Sequence, residues 1–300
     1  MIRFPDPDLR LAHLARRNLI HRVETGQAGP RLDKFLAAVT DLPRALIRDL
    51  IEFGSVWVAG RVCRRQSRLL AAGEWVTLQA PAYGPVRFYE INPARIVFQD
   101  DWLLAYDKEA GLPCQQTPYD GYNHLYGALG RHLGPKAYLA LHHRLDGPTS
   151  GVMLFALRRE VNQGLSRLFK YGPLIKLYLA VTASAPAGEE WTVDRPIAKA
   201  KGFYHCPPDG SGKPARTEFK VLARGPGRTL LQARPLTGRT HQIRLHLAAS
   251  GHPVLGDAEH GGPPAPRLML HAASLSFTHP RTGRPLTIEA PRPPGFDHEE

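Results

Sequence analysis

Residues 142–151 contain the side chains of this chain that are best placed to do chemistry. They read HHRLDGPTSG, so that Asp146 lies between a strand-like run and a Gly-Pro turn. A carboxylate on a loop that two strands hold can serve as a nucleophile or as a general base. An aspartate before Gly-Pro is also common as the cap of a turn, and taken alone this context favours that structural role.

Two further segments contain residues of the types that would assist a carboxylate. Residues 176–182 read KLYLAVT, and strand alternation puts Lys176 and Tyr178 on the face opposite the aliphatic side chains. Residues 237–246 read TGRTHQIRLH and predict a helix over residues 240–250 that carries Arg244. An arginine beside an aspartate would keep it ionised and orient it. The structural alternatives are an ordinary core tyrosine and a surface arginine on an amphipathic helix.

Charge favours a polyanionic partner. Lys and Arg number 39 against 27 Asp and Glu, and residues 199–250 alone hold ten basic and two acidic residues. A clustered positive surface suits a phosphate backbone. The chain has no apolar run long enough for a membrane span and no signal peptide at its N-terminus, and its three scattered cysteines form neither a disulfide framework nor a zinc pattern. We therefore expect a cytoplasmic, monomeric protein without a membrane partner.

Composition breaks divide the chain into five segments. We predict an N-terminal extension over 1–29, a small basic α+β domain over 30–80, a linker over 81–90, a large domain over 91–290 and a flexible tail over 291–300. In the small domain the spacing of apolar residues predicts two helices and a short sheet. In the large domain strands dominate, which predicts an α+β fold with a mostly antiparallel mixed sheet.

In their order along the chain, the chemical segments resemble the signatures of the RluA-type RNA pseudouridine synthases. Residues 143–151 match the family's His-Arg-Leu-Asp-x-x-Thr-Ser-Gly at seven fixed positions, residues 176–180 match its Lys-x-Tyr-Leu-Ala strand, and residues 237–246 match its Thr-Gly-Arg-Thr-His-Gln-Ile-Arg-x-His. One departure is His260-Gly261, where the family commonly has Tyr-Gly. We expect it to affect local packing more than chemistry.

The small domain resembles the alpha-L RNA-binding module. Residues 31–36 (RLDKFL), 51–62 (IEFGSVWVAGRV) and 72–74 (AGE) carry this resemblance, and seven arginines make the module basic. The alternative is an unrelated small α+β domain with solvated arginines.

The resemblance implies a pseudouridine synthase fold and a role for each site residue. Asp146 is the catalytic carboxylate that acts on the target uridine, Arg144 enters the RNA stack as the base leaves it, Tyr178 packs on the flipped base, and Arg244 pairs with Asp146. The isomerisation is not a redox reaction and imports no group, so we expect no metal and no other cofactor. The implied partner is structured RNA, with ribosomal RNA favoured and transfer RNA as the alternative.

Two other functions compete with this interpretation. A hydrolase would use Ser150 with a histidine and an aspartate, but residues 147–151 (GPTSG) are not the Gly-x-Ser-x-Gly elbow of such enzymes. A catalytically inactive RNA-binding or ribosome assembly protein would be expected to lack the carboxylate, yet Asp146 and Arg244 are both present.

Overall fold

The computed structural model describes residues 2, 4–11, 19–24 and 29–297, which divide into two compact units. The smaller unit comprises the described residues from 4 to 91 together with Pro113–Pro135, and the larger comprises Ile2, Asn92–Leu112 and the chain from Lys136 onward. The predicted extension and tail are described only in part. Residues 1, 3, 12–18, 25–28 and 298–300 lie outside the described residues.

The smaller unit combines helices with a four-stranded antiparallel sheet. Its elements are β1 (Leu19–Arg22), α1 (Leu32–Val39), α2 (Arg44–Phe53), β2 (Val56–Val58), β3 (Arg61–Val62), β4 (Trp75–Leu78) and α3 (Leu125–Leu133). The sheet order is β1-β4-β2-β3. Both helices predicted for the small domain are present, and α2 ends at Gly54, whose φ of 94° is the left-handed conformation that favours glycine at a helix C-terminus.

The smaller unit includes two segments that the sequence assigned elsewhere. β1 belongs to the predicted N-terminal extension, yet it pairs with β4 along its whole length. Residues 113–135 were assigned to the large domain, but Asn123 binds the predicted linker: its Oδ1 accepts from the backbone amides of Phe88 and Tyr89, each at 3.0 Å. Such long-range hydrogen bonds leave no signal in local composition.

The larger unit is built around a ten-stranded sheet. Its elements are β5 (Ile96–Gln99), β6 (Leu103–Lys108), β7 (Ala140–Leu141), β8 (Ser150–Ala156), α4 (Asn162–Tyr171), β9 (Ile175–Thr182), β10 (Glu190–Asp194), β11 (Ala198–Ala200), β12 (Phe203–His205), β13 (Arg216–Gly225), β14 (Arg228–Pro235), α5 (Gln242–Ala249), β15 (Leu270–Thr278) and β16 (Pro285–Glu289). The order is β10-β13-β14-β9-β15-β8-β6-β5, with β16 beside β15 and β7 beside β8, while β11 and β12 form a separate ribbon.

The predicted mostly antiparallel α+β fold is confirmed. Among the pairs of described strands only β8 and β15 run parallel, and they meet where Ser150 faces His271 and Gly151 faces Ala272. Gly151 has a φ of 112°, and a Cβ there would lie 2.1 Å from the carbonyl oxygen of Ala272. The glycine that follows the Asp146 loop is therefore required by close backbone approach.

Helix α5 differs from the amphipathic helix that its sequence predicts. Ile243 and Leu247 pack in the core with the sheet, as expected, but Leu245 packs on another side against Ile197 and Ala215. Every residue from Gln242 to Leu247 is buried. The interpretation of Arg244 as a surface residue is therefore wrong, because α5 is covered on more than one side.

None of the described helices is both long and apolar enough to span a membrane.

Candidate active site

Asp146 lies on the loop between β7 and β8, and its side chain is 27% exposed. The preceding Leu145 is buried and Arg144 is exposed, so the loop fixes one side chain inward and presents its neighbour to solvent. The backbone amide of Thr149 donates to the carbonyl of Asp146 at 3.1 Å and closes a turn. Asp146 thus is a turn residue, and its carboxylate is also accessible.

Two histidines anchor the chain before Asp146. His142 contacts α4 through Nδ1 to Ser166 Oγ at 3.1 Å and Nε2 to Asn162 Oδ1 at 3.0 Å. His143 Nε2 accepts from the backbone amide of Leu154 at 2.8 Å, and its ring stacks on Phe169 at 4.3 Å. The strand before this anchor, β7, is only the two residues Ala140–Leu141.

Desolvation lowers the pKa of His143 to about 3, and the positive charge of Lys176 adds to this effect. The ring is therefore neutral at physiological pH and Nε2 is available as an acceptor for the Leu154 amide.

Lys108 anchors the chain after Asp146. Its buried ammonium group donates to three carbonyl oxygens: Gly147 at 2.9 Å, Leu112 at 2.8 Å and Glu109 at 3.0 Å. The amide of Gly111 also donates to Gly147 O at 2.9 Å. The sequence analysis assigned Lys108 no role, and its bond to Gly147 makes it a positioning residue for the Asp146 loop.

Arg244 lies beside one oxygen of Asp146, with Nη1 3.6 Å from Oδ2. The guanidinium is held from behind by Asp257, which accepts from Nε at 2.7 Å and from Nη2 at 2.6 Å, and Glu259 Oε2 accepts from Nη2 at 2.9 Å. A bidentate pair of this kind fixes the plane of the guanidinium. Arg244 therefore approaches Asp146 with little freedom to move away.

The pKa values of the buried pair shift in the directions that keep both groups charged. Burial alone would raise the pKa of Asp257, but the hydrogen bonds from Arg244 outweigh it and the pKa lies below its usual value. Burial would likewise lower the pKa of Arg244, and the carboxylates of Asp257 and Asp146 raise it instead. Arg244 is a permanent cation at the edge of the Asp146 carboxylate.

His241 is a neighbour of Asp146 that sequence reasoning did not assign. Its Nε2 lies 3.9 Å from Asp146 Oδ1, on the oxygen opposite to the one that Arg244 approaches. His241 precedes α5 with a φ of 55°, an uncommon conformation for a residue other than glycine. Its position within the TGRTHQIRLH motif, three residues before Arg244, was the available signal.

Tyr178 is the predicted site residue that lies on β9. Tyr178 lies in the interior of the sheet, where β9 pairs it with Ala233 and Ala272, and its half-buried ring packs against the core. The sequence places Tyr178 on the face of β9 opposite Leu177 and Leu179, and this face also contacts apolar core residues. Lys176 lies on the same strand, and burial lowers its pKa.

Ser150 does not have the accessibility that a hydrolytic nucleophile needs. Its Oγ contacts His271 Nδ1 at 2.8 Å, and both residues are almost fully buried. Burial lowers the pKa of His271 to about 4, and the charge of Arg267 adds to the shift. The Ser-His contact supports the β8–β15 junction, and the hydrolase alternative has no accessible serine at this position.

Comparison with known proteins identifies the family. Residues 102–249, which include all four predicted site residues, match the family model described as RNA pseudouridylate synthase. Ribosomal large subunit pseudouridine synthase C of Vibrio vulnificus is 34% identical over 296 residues, an alignment that covers 90% of this chain and 91% of that protein. The chain belongs to the RNA pseudouridylate synthase family. It is an RNA pseudouridine synthase, as the resemblance implied.

Other relatives agree with this assignment. A protein of Aquifex aeolicus described as an uncharacterized RNA pseudouridine synthase is 34% identical over 291 residues. The alignment covers 89% of this chain and 91% of that protein. Among solved structures, human RNA Pseudouridylate Synthase Domain Containing 1 is similar with a TM-score of 0.58 and 26% identity, over 70% of this chain and 89% of that one.

Proposed function

We propose that this enzyme isomerises uridine to pseudouridine in ribosomal RNA with Asp146 as the catalytic carboxylate. The observation that carries the proposal is the contact of Asp146 with Arg244, whose Nη1 lies 3.6 Å from Asp146 Oδ2. Arg244 is a buried cation, and Asp257 holds its guanidinium in place. The loop is anchored on both sides, by His143 and by Lys108. This arrangement provides an accessible carboxylate in a fixed orientation, as covalent or proton-transfer catalysis requires.

The reaction breaks the bond between N1 of uracil and C1′ of the sugar and forms one between C5 and C1′. The proton on C5 is lost and N1 gains one, so substrate and product are isomers and no other reactant is consumed. Asp146 would either attack the sugar as a nucleophile or remove a sugar proton as a base. Its exposed oxygens and its two cationic or polar neighbours are compatible with both roles.

A uridine within folded RNA must leave the base stack to reach Asp146, at a cost of a few kcal/mol. We propose that Arg144 takes the vacated position, because it is exposed and only two residues from the carboxylate. Tyr178 would pack on the flipped uracil. A half-buried ring held by two neighbouring strands is a rigid platform for a base.

We expect Tyr178→Leu to lower kcat by about 5- to 150-fold, since stacking of a base on an aromatic ring contributes about 1–3 kcal/mol. Tyr178→Phe keeps the ring and should retain most of the activity. The measurement is single-turnover pseudouridine formation at saturating enzyme, with RNA affinity measured in parallel. Equal losses in the two variants would contradict a stacking role and assign the function to the hydroxyl.

Ribosomal RNA is the proposed substrate because relatives covering most of the chain are named for the large ribosomal subunit. Pseudouridines should be mapped in total RNA from a strain that lacks this protein and from the same strain carrying the wild-type gene. We expect at least one ribosomal pseudouridine to vanish and to return on complementation. Loss confined to transfer RNA would overturn the choice of substrate while leaving the activity intact.

We also propose that the smaller unit binds RNA through exposed arginines. Asp33 is buried and contacts Arg31, with Arg44 and Arg48 within 4.0 Å, so part of the positive charge is neutralised internally. Arg61 and Arg65 are exposed and have no carboxylate partner among the described residues. These two side chains are therefore the best candidates for phosphate contacts.

The double replacement Arg61→Gln with Arg65→Gln should weaken RNA binding. It should also reduce the slope of log affinity against log salt concentration by about 1 to 2, because each lost phosphate contact removes about 0.7–0.9 from the slope. The control is Arg10→Gln with Arg224→Gln, which removes two charges that already contact Asp8 and Glu189. Equal slopes for the test and control variants would refute this RNA-binding surface.

A further inference from the structure

A second cluster of polar side chains lies next to the catalytic loop, on the far side of His241 from Asp146. His241, Glu259 and His260 each offer one nitrogen or oxygen atom, and these three atoms lie within 4.8 Å of one another. His241 Nδ1 is 3.1 Å from His260 Nε2 and 3.5 Å from Glu259 Oε1. No other group of three such ligands is found in the described part of the chain.

Two of the three spacings among these atoms fit a tetrahedral transition-metal ion. Zinc binds histidine nitrogen at about 2.0–2.1 Å and carboxylate oxygen at about 2.0–2.2 Å. Two ligands of a tetrahedron at such distances lie roughly 3.3–3.5 Å apart, by simple geometry from those bond lengths. The two measured separations, 3.1 and 3.5 Å, are close to this edge. Two imidazoles and one carboxylate form a ligand set that suits zinc better than magnesium or calcium, which favour oxygen ligands.

The backbone already holds the three ligands in place. His241 is fixed by its position before α5, and Glu259 and His260 lie on the short 3-10 turn Ala258–His260. Asp257, which precedes this turn, accepts two hydrogen bonds from Arg244 on α5, and these bonds connect the two segments that carry the ligands. Glu259 uses Oε2 for Arg244 and turns Oε1 towards His241. The remaining separation, between the ligand atoms of Glu259 and His260, is within 4.8 Å, so a side-chain shift there would complete the coordination.

We propose that His241, His260 and Glu259 bind one zinc-class divalent cation, and that this ion inhibits the enzyme. The site is coupled to Asp146 by two routes. The opposite nitrogen of His241 lies 3.9 Å from Asp146 Oδ1, and Glu259 shares Arg244 with Asp146. A dication bound at His241 Nδ1 and Glu259 Oε1 adds positive charge beside the carboxylate, which makes Asp146 a weaker nucleophile or base.

His260→Tyr tests the site directly. A tyrosine ring offers no imidazole nitrogen, so this change should remove one of the three ligands while keeping an aromatic side chain. His132→Tyr is a matched control, since His132 is exposed and belongs to the smaller unit.

The first experiment measures binding in the full-length protein. Zn²⁺ is titrated by calorimetry, and Co²⁺ is titrated by its visible absorption, both with Mg²⁺ in excess. We expect wild type and His132→Tyr each to bind one equivalent of metal, with the absorption bands of tetrahedral Co²⁺. We expect His260→Tyr to bind the metal at least about tenfold more weakly, because even outer-shell partners of a metal ligand affect affinity by 10- to 100-fold. Unchanged affinity in His260→Tyr would overturn the site and leave the 3.1 Å contact as a hydrogen bond between two histidines.

The second experiment measures pseudouridine formation with and without Zn²⁺, each variant being normalised to its own rate in chelator. Wild type and His132→Tyr should be inhibited at the concentrations that saturate binding, and His260→Tyr should require at least about tenfold more zinc, in step with its affinity. Binding without inhibition would overturn the coupling to Asp146. The binding result does not depend on the catalytic role of Asp146, so a failure of that role is detected separately.

Discussion

Replacing Asp146 with asparagine should reduce pseudouridine formation by about 10⁴-fold or more, the range seen when a catalytic base or nucleophile is removed. The amide has nearly the same shape as the carboxylate but can neither attack the sugar nor accept its proton. The side chain is 27% exposed, and the nearest nitrogens of Arg244 and His241 are 3.6 and 3.9 Å from its oxygens, so the change removes no short hydrogen bond from the core. RNA affinity and folding should therefore be close to wild type.

The measurement is single-turnover conversion of a uridine-containing RNA fragment, quantified by a pseudouridine-specific chemical label. Asp101→Asn provides the matched control, because it makes the same change at an exposed aspartate of the larger unit. Activity of Asp146→Asn within tenfold of the control would show that another group performs the reaction. If the loss occurs, substrate deuterated at the sugar C2′ separates the two roles, since only removal of that proton gives a primary isotope effect.

Arg244→Met should have two large effects, one on stability and one on catalysis. Asp257 is 1% exposed and would lose both hydrogen bonds of its bidentate partner. Breaking a buried pair by removing one member costs about 3–5 kcal/mol in the free energy of unfolding. Loss of the cation beside Asp146 should lower the rate of the folded enzyme by about 10²-fold or more, as for other preorganised electrostatic contacts.

The variant Arg244→Met with Asp257→Asn separates these effects. The neutral amide removes the uncompensated buried charge, so most of the lost stability should return in urea unfolding, while the catalytic loss should persist. Activity is compared at a temperature where all variants are folded. Recovery of wild-type activity in the double variant would show that Arg244 acts only by supporting the fold, and the proposed role at Asp146 would be wrong.

Much of the architecture could be predicted because local patterns were strong. Strand alternation and helical spacing located the helix that carries Arg244 and the strand that carries Tyr178. The structure then corrected the environment of both residues. Arg244 is buried because α5 contacts two different clusters, and Tyr178 is half-buried because its ring packs against the core.

The boundaries of the two units were harder to predict. β1 pairs with β4 across more than fifty residues, and Asn123 binds the backbone near residue 88. Pairings at that separation depend on hydrogen-bond geometry between distant segments, which composition and periodicity do not encode.

By itself, the sequence determined the chemical identity of this protein: which carboxylate, which arginine and which aromatic ring to examine, and the family they belong to. It did so because three short, contiguous segments resemble the signatures of that family, and contiguous residues can be compared without knowing the fold. Only the tertiary structure showed that Lys108 and His143 anchor the Asp146 loop and that Asp257 fixes Arg244. It also brought His241, Glu259 and His260 together. These relations depend on distances between segments remote in sequence, and such distances are set only when the chain folds.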